Sequence, residues 1–409
     1  MKYTGISSAK ILLPNNVDMT KWACIACDQF TSEKDYWEKL EREVLGEKSV
    51  LNLVLPEIYL DEKTPQRIEK INANIEEYVN SGVFNQLEQG FILVVRSTPF
   101  VERRIGLVGA VDLDQYDYKP NSKTMVRATE GTIEERIPPR LQIRKNAKVE
   151  FPHVMILFDD EKREILEKLY ENRKNFKKVY DFELNMGGGH IEGYFIDQAQ
   201  MLEEKFACLL DSDRLMAKYG TSDAFAFAVG DGNHSLATAK THWENIKKQI
   251  PESEWQNHPA RFALAEFVNI YDEGIYFEPI FRLVTGVDKE KFIDGLKKVD
   301  GGKIRIYDGN SVKTQDGKVA LADGIRAVDE YIKKYTEQGA VVDYIHGEEN
   351  LKKLVDGDSS AVGVLFEKLD KGELFRYVCS VGPFPRKTFS MGEGIEKRYY
   401  IEGRMIVND

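Results

Sequence analysis

Cysteine and histidine are scarce in this sequence, which limits the disulfide and metal sites that it can build. Of its 409 residues, four are cysteines (Cys24, Cys27, Cys208 and Cys379) and six are histidines. Cys24 and Cys27 have the CxxC spacing of zinc ligands, but no second CxxC or Cys/His pair supplies the remaining ligands. The N-terminus lacks the apolar region of a signal peptide, so we expect free thiols and a cytoplasmic protein.

Long apolar segments and an excess of basic residues are missing as well. No stretch approaches the roughly 20 apolar residues that span a bilayer, so we predict no membrane association. The net charge is −11, whereas general nucleic-acid binding requires a basic surface. We therefore predict a globular protein whose partner is a small-molecule substrate. The pattern predicts no particular oligomeric state.

The alternation of helical and strand patterns predicts a mixed α/β fold. A chain of 409 residues exceeds one simple core, and two or three domains are expected. We predict a mixed-sheet core over residues 1–285, which could be divided near 160–180. The predicted elements become shorter after residue 286, and we predict a smaller α+β domain over residues 286–409.

Local patterns predict individual elements. Residues 91–96 and 103–113 are expected to form antiparallel strands, and residues 259–275 a helix. The glycines at 187–189 favour a hairpin or bulge, although they could also let the backbone approach a phosphate. They are not a Walker loop, because no Lys-Ser/Thr follows them. Residues 373–380 are predicted to form a strand.

Residues 224–240 carry the strongest functional pattern. An apolar run typical of a buried strand leads into a two-glycine turn, and helical spacing follows. The turn and the start of the helix hold Gly230, Asp231, Gly232, Asn233, His234 and Ser235. The first N–H groups of a helix have no intrahelical partner and its dipole favours an anion, so we expect phosphate or carboxylate binding. A purely structural turn, with His234 as a cap, is the alternative.

Two other polar segments supply candidate partners for this loop. Residues 127–150 contain Arg127, Glu130 and Arg136, which could form a solvated helix with ion pairs or an arginine clamp with a carboxylate base. Asp28 follows a predicted buried strand, and residues at strand ends often face a ligand crevice.

Four separated segments together resemble one family: residues 127–136, 231–234, 278–282 and 385–388. The chain resembles the DUF1015 family over nearly its whole length. The central Asp-Gly-His-His-Arg motif of that family is similar to the phosphate-binding loop of the ParB/sulfiredoxin superfamily. That superfamily includes nucleotide-dependent members, among them an enzyme that phosphorylates a free amino acid. The resemblance implies a ParB/sulfiredoxin-like core that binds nucleotide or phosphate.

Asp231, Gly232 and His234 match the motif, whereas Asn233 is a mild change and Ser235 stands where arginine is usual. The change at 235 removes a bidentate phosphate partner. The candidates to replace it are Arg127, Arg136, Arg140 and Lys387.

Three functions are consistent with these observations. The first is a kinase-like phosphotransferase that acts on a small polar metabolite with ATP or ADP and Mg²⁺, chemistry that depends on positioning and charge neutralisation. The second, favoured by Ser235, is a non-catalytic protein that senses a nucleotide or anion. The third is a metal-dependent hydrolase that uses Asp231 and His234, with His190 as an optional third residue, although no HxxxH or HxxEH spacing supports it.

The first hypothesis assigns a role to each candidate residue. Asp231 is the predicted Mg²⁺ ligand. The predicted catalytic residues are Asp28, Glu130, Asp231 and His234. The predicted cofactor-binding residues are Gly230, Gly232, Asn233, Ser235, Arg127, Arg136 and Lys387.

Overall fold

The computed structural model describes residues 3–408, with the exception of the Arg136 side chain. The strands are, in chain order, β1 (Ile6–Ser7), β2 (Ala9–Pro14), β3 (Cys24–Ile25), β4 (Phe84–Ser97), β5 (Arg104–Asp112), β6 (Tyr116–Asp117), β7 (Val126–Ala128), β8 (Val149–Glu150), β9 (Met155–Phe158), β10 (Lys177–Leu184), β11 (Gly189–Ile196), β12 (Phe227–Asp231), β13 (Phe262–Asn269), β14 (Phe277–Thr285), β15 (Lys303–Tyr307), β16 (Val312–Asp316), β17 (Val341–His346), β18 (Val362–Phe366), β19 (Phe389–Met391), β20 (Tyr399–Tyr400) and β21 (Arg404–Met405).

The helices are α1 (Met19–Trp22), α2 (Lys34–Glu43), α3 (Thr64–Asn80), α4 (Ile137–Lys145), α5 (Leu166–Glu171), α6 (Ala199–Cys208), α7 (Ser212–Tyr219), α8 (Asn233–Lys247), α9 (Glu252–Trp255), α10 (Lys289–Leu296), α11 (Leu321–Thr336), α12 (Glu348–Asp356) and α13 (Lys371–Ser380). Within residues 3–408, no helix combines the length and the apolar character that crossing a bilayer requires.

The chain forms two compact units. The first contains the residues up to Ile275, Val378–Gly382 and the residues from Glu393 onward, and the second contains Tyr276–Tyr377 and Pro383–Gly392. Each unit combines a sheet with helices, which confirms the predicted mixed α/β class. The predicted domains were continuous ranges, whereas the last segment of the chain belongs to the first unit.

The main sheet of the first unit is mixed. Its strand order is β10–β11–β4–β5–β13–β9–β12–β7–β6, with β1 beside β5 and β2 beside β4. The pairs β13–β9 and β12–β7 are parallel, whereas β9 and β12 are antiparallel. β5 and β9 are buried throughout their length, which explains their continuous apolar sequences.

Two apolar layers enclose this sheet because successive residues of a strand point to opposite faces. Ile92 and Val94 of β4 belong to the layer that includes α3. Phe91 and Leu93 belong to the other layer, which includes Trp243 of α8. The start of α8 is therefore fixed by core packing further along the same helix.

The second unit is built on an antiparallel sheet in the order β16–β15–β18–β14–β17, with β19 beside β14. Helices α10 and α11 pack on one side through Phe292, Ile325 and Val328. Leu351 of α12 belongs to a separate apolar cluster with Phe281 and Leu365.

Several local predictions can be compared with these elements. The antiparallel pair β4–β5 and the hairpin β10–β11 are confirmed. The helix predicted over 259–275 is wrong, because this segment forms β13 between β5 and β9. The strand predicted over 373–380 is also wrong, because these residues lie in α13.

Candidate functional site

The strand, turn and helix predicted within residues 224–240 are confirmed as β12, a glycine turn and α8. Gly230 lies where the pairing of β12 with β9 shifts between Val229 and Asp231, as in a β-bulge. Gly232 has a φ of +78°, and a Cβ atom there would lie 3.0 Å from the Cα of Val154. This position therefore requires glycine for both its conformation and its close packing.

The first turn of α8 has no capping side chain. Gly232 occupies the N-cap position, so no side chain caps the helix, and the first turn contains no acidic residue. The ring Nε2 of His234 accepts a hydrogen bond from the Ile133 N–H at 3.2 Å. The hydroxyl of Ser235 lies 3.4 Å from the Nε2 of His153. These contacts hold two loop side chains while the helix dipole favours negative charge at this end.

Two oxygen atoms of the loop have no hydrogen-bond partner among the described residues. They are the Oδ2 of Asp231 and the Oδ1 of Asn233, and both are buried. The other carboxylate oxygen of Asp231 accepts from the Gly232 N–H at 3.0 Å. The ammonium group of Lys397, a buried residue, lies 3.4 Å from Asp231 Oδ2. Carboxylate and amide oxygens are ligands that suit Mg²⁺, so Asp231 and Asn233 fit this metal.

His153 connects the loop to the N-terminal segment. Its Nε2 lies 3.5 Å from Asp28 Oδ2, and its Nδ1 is hydrogen-bonded to the Tyr400 hydroxyl at 2.8 Å. That hydroxyl also accepts from the Cys27 N–H at 3.1 Å. Asp28 and the loop, which are distant in sequence, are thus linked through one buried imidazole.

Asp28 is an ionised carboxylate at neutral pH. Burial alone would raise the pKa of Asp28, but His153, Gln29 and Lys397 together lower it below its usual range. Its neighbour Cys27 behaves differently, because burial raises the pKa of that thiol to about 12. Asp28 is therefore deprotonated at neutral pH, whereas Cys27 stays a protonated thiol.

A cavity of about 170 Å³ lies beside these groups. Asp28, His153 and Ser235 line it together with apolar side chains that include Leu55 and Ile143. A cavity of about 150 Å³ holds a benzene molecule. This cavity is therefore sized for a small metabolite and not for a whole nucleotide.

Glu130 lies at the same edge of the sheet as the loop. Ala128 pairs with Val229 in the parallel strands β7 and β12, and Glu130 and Asp231 each follow two residues later. The Thr129 hydroxyl donates to the Val229 carbonyl at 2.6 Å and joins the two strand ends.

The predicted arginines and lysine have different surroundings. Arg127 stacks over Phe225 at 4.6 Å and donates to the Thr124 carbonyl. Arg140 lines the cavity and forms an ion pair with Glu57. The side chain of Arg136 lies outside the described residues. Lys387 belongs to the second unit, where its carbonyl accepts from Arg282.

The comparisons with known proteins place the chain in a family. Residues 10–370 match the family described as "Protein of unknown function (DUF1015)". The chain belongs to the DUF1015 family. No curated protein matches this DUF1015 chain.

Solved structures similar to the DUF1015 chain share little sequence with it. A free serine kinase in complex with AMP has 9% identity and a TM-score of 0.38, over 73% of this chain and 90% of that chain. A conserved hypothetical protein from Pyrococcus furiosus has 11% identity and a TM-score of 0.35, over 70% and 90%. C-terminally truncated SbnI from Staphylococcus aureus has 10% identity and a TM-score of 0.36, over 70% and 82%. Likenesses of this size give no basis for assigning an activity to the DUF1015 chain.

Sequence reasoning missed three residues of this DUF1015 site: His153, Lys397 and Tyr400. His153 lies two residues before the start of the buried strand β9, and its proximity to Asp28 has no local sequence signature. Lys397 and Tyr400 stand in a basic and aromatic stretch near the C-terminus. That stretch was the available signal, but only the fold shows that it meets the 231–235 loop.

Proposed function

We propose that this DUF1015 protein is a phosphotransferase that moves a phosphate from ATP or ADP to a small metabolite. The observation that carries the proposal is the pair of buried side-chain oxygens of Asp231 and Asn233 that accept no hydrogen bond among the described residues, with the Lys397 ammonium 3.4 Å from the Asp231 oxygen. This combination suits a phosphate together with a divalent cation. The similarity of residues 231–234 to the ParB/sulfiredoxin phosphate-binding loop is part of the same proposal.

Each group has a defined task in this proposal. The N–H groups of the first turn of α8 and the Lys397 ammonium bind the phosphate. Asp231 and Asn233 would hold Mg²⁺, which when bound neutralises negative charge on the phosphates. His234 keeps the loop in place through Ile133.

Asp28 is the proposed base, and Glu130 is the alternative. Asp28 takes the proton of the substrate hydroxyl, whose oxygen then bonds to the terminal phosphorus. The bond from that phosphorus to the nucleotide breaks, and the nucleotide leaves with one phosphate fewer. The proposal gives Arg127, Arg136 and Lys387 no role in these steps.

Replacement of Lys397 tests the proposal. For Lys397→Met we expect ATP–Mg²⁺ to bind about tenfold to a hundredfold more weakly, because a charge-assisted hydrogen bond to phosphate is lost. The measurement is the ATP-dependent rise in Tm of the full chain, followed by ³¹P NMR of phosphate transfer to a mixture of small polar metabolites.

Two control variants show whether an effect is specific to the charge of Lys397. Lys34→Met removes a lysine whose side chain is 69% exposed and should leave binding unchanged. Lys397→Arg keeps the charge and should retain part of the binding. Unchanged ATP binding by Lys397→Met would overturn the proposal. Binding of ATP by the wild type without any transfer would instead support the nucleotide-sensing function.

A further inference from the structure

The cavity beside Asp28 also has an ionic wall. Arg144 and Glu150 line it, and the Nη2 of Arg144 lies 2.7 Å from Glu150 Oε2. The Nε of Arg404 lies 2.9 Å from the other oxygen of the same carboxylate. Glu150 also accepts from the Leu264 N–H at 2.9 Å. Two guanidinium groups therefore share one carboxylate.

The cluster of Arg144, Glu150 and Arg404, of which Arg144 and Glu150 line the cavity, has more positive than negative charge. Burial alone would raise the pKa of Glu150, but Arg144 and Arg404 lower it, so the carboxylate is ionised. Burial, followed by the Arg144 charge, lowers the pKa of the nearby His242 to about 4, so its ring is neutral at pH 7. The local sum of Arg144, Arg404 and Glu150 is one positive charge.

The Nε–H group of Arg144 is a hydrogen-bond donor without an acceptor among the described residues. Its side chain is only 14% exposed, and its buried Nε has no hydrogen-bond partner among the described residues. A buried donor without an acceptor is costly, so an acceptor from a ligand would be favourable here. A carboxylate matches both the donor and the charge of a guanidinium group.

We propose that the cavity binds a small hydroxy acid, with its carboxylate on Arg144 and its hydroxyl beside Asp28 and His153. The assignment of the hydroxyl rests on the proposed phosphotransferase function, whereas the carboxylate site stands on the ionic wall alone. The volume admits roughly six to eight non-hydrogen atoms. The apolar side chains of Leu53, Leu55 and Ile143 face this space and suit a short aliphatic body.

Three probes of similar size test the inference by isothermal titration calorimetry on the full chain. They are 3-hydroxybutyrate, 1,3-butanediol, which lacks the carboxylate, and butyrate, which lacks the hydroxyl. We expect 3-hydroxybutyrate to bind at least about tenfold more tightly than the diol, because the diol cannot pair with a guanidinium group. Butyrate should keep the part of the affinity that depends on Arg144.

Two variants separate the contribution of the Arg144 charge from that of the cavity volume. Arg144→Gln should reduce the affinity for 3-hydroxybutyrate at least about tenfold, while Glu150 keeps Arg404 and the Leu264 N–H as partners. Ala147→Leu adds volume at a buried cavity residue without changing a charge and should abolish binding of all three probes. Both variants should retain the ATP-dependent rise in Tm.

The outcomes are distinct. Equal binding of 3-hydroxybutyrate and the diol, wild-type binding by Arg144→Gln, or no binding of any probe would overturn the carboxylate site. In each case a retained response to ATP–Mg²⁺ would leave the phosphotransferase proposal intact. Binding of 3-hydroxybutyrate through Arg144 without any response to ATP would support the carboxylate site and remove the phosphotransferase.

Discussion

At the scale of single residues, the chemistry of the site depends on where charge is held. Asp28 is partly buried against His153, and its pKa lies below the usual range because nearby groups outweigh the effect of burial. A carboxylate in this state is deprotonated at neutral pH, as a general base must be. Its position beside the cavity determines which hydroxyl it can reach.

Asp28→Asn tests this role. The amide keeps the shape of the side chain but cannot take a proton, so we expect kcat to fall on the order of 100- to 10,000-fold. The ATP-dependent rise in Tm should stay at the wild-type value, because Asp28 is not among the phosphate-binding groups. Asp28→Glu is the conservative control and should recover part of the rate.

The pH profile gives an independent check. Since the pKa of Asp28 is lowered, the base form persists as the pH falls, and the acid limb of kcat due to Asp28 should lie below about pH 4. An unchanged kcat in Asp28→Asn would exclude this residue as the base. Glu130, which lies at the same sheet edge as Asp231, would then be the candidate base, and it would be the next residue to substitute.

The sequence was informative about residues that sit at the ends of predicted elements. Asp28, Asp231 and Asn233 follow buried apolar runs, and their positions could be predicted from that pattern. His153 and Lys397 could not, because their importance depends on contacts with segments far away in the chain. Their proximity to Asp28 and Asp231 is a product of tertiary packing.

At the scale of elements, a secondary-structure prediction was correct where the local sequence pattern matched the burial of the segment in the fold. The β12–α8 unit has a clear break at Gly230–Gly232, and its prediction was correct. The helix prediction failed at β13, because this strand lies between β5 and β9 and is buried from Ala263 to Asn269. A short buried run lacks the period-2 pattern that identifies a strand.

The turn between β12 and α8 allows a test of its geometry. Gly232→Ala places a methyl group 3.0 Å from the Val154 Cα in a backbone with positive φ. We expect a loss of at least about 2 kcal/mol in the free energy of unfolding, measured with urea, from strain and overpacking together. The ATP-dependent rise in Tm should decrease as well, because α8 starts at this turn.

Gly220→Ala is the matched control for this variant. Gly220 has a φ of +72°, but a Cβ atom there meets nothing within 4 Å. It should cost about 1 kcal/mol through its backbone conformation alone. Equal losses for the two variants would show that contact with Val154 contributes nothing.

At the scale of the first unit, a buried ionic network joins the C-terminal segment to the main sheet. Arg398 lies between the site residues Lys397 and Tyr400. Its Nη1 lies 2.5 Å from Glu266 of β13, and its Nη2 lies 2.7 Å from Glu402. Its Nε donates to the carbonyl of Pro152, the residue before His153. The network therefore positions three site residues at once.

Arg398→Met should lower the free energy of unfolding by about 3–5 kcal/mol at pH 7, because it leaves buried carboxylates unpaired. Adding Glu266→Gln to this variant should recover part of the loss, since one of the unpaired charges is then removed. Urea unfolding at constant pH measures both effects. No recovery in the double variant would mean that lost packing, not unpaired charge, dominates.

The pH dependence of the loss in unfolding free energy caused by Arg398→Met identifies the part of that loss that is electrostatic. Burial alone would raise the pKa of Glu266, but Arg398 and then Arg104 lower it. The wild type therefore gains stability from this carboxylate above about pH 4.3, the usual pKa of glutamate, and loses it as the pH falls. Without Arg398 the pKa of Glu266 must rise, so the folded variant takes up its proton at higher pH than the wild type does. The stability difference should narrow steadily from pH 7 towards pH 4, and a constant difference would exclude Glu266 as its source.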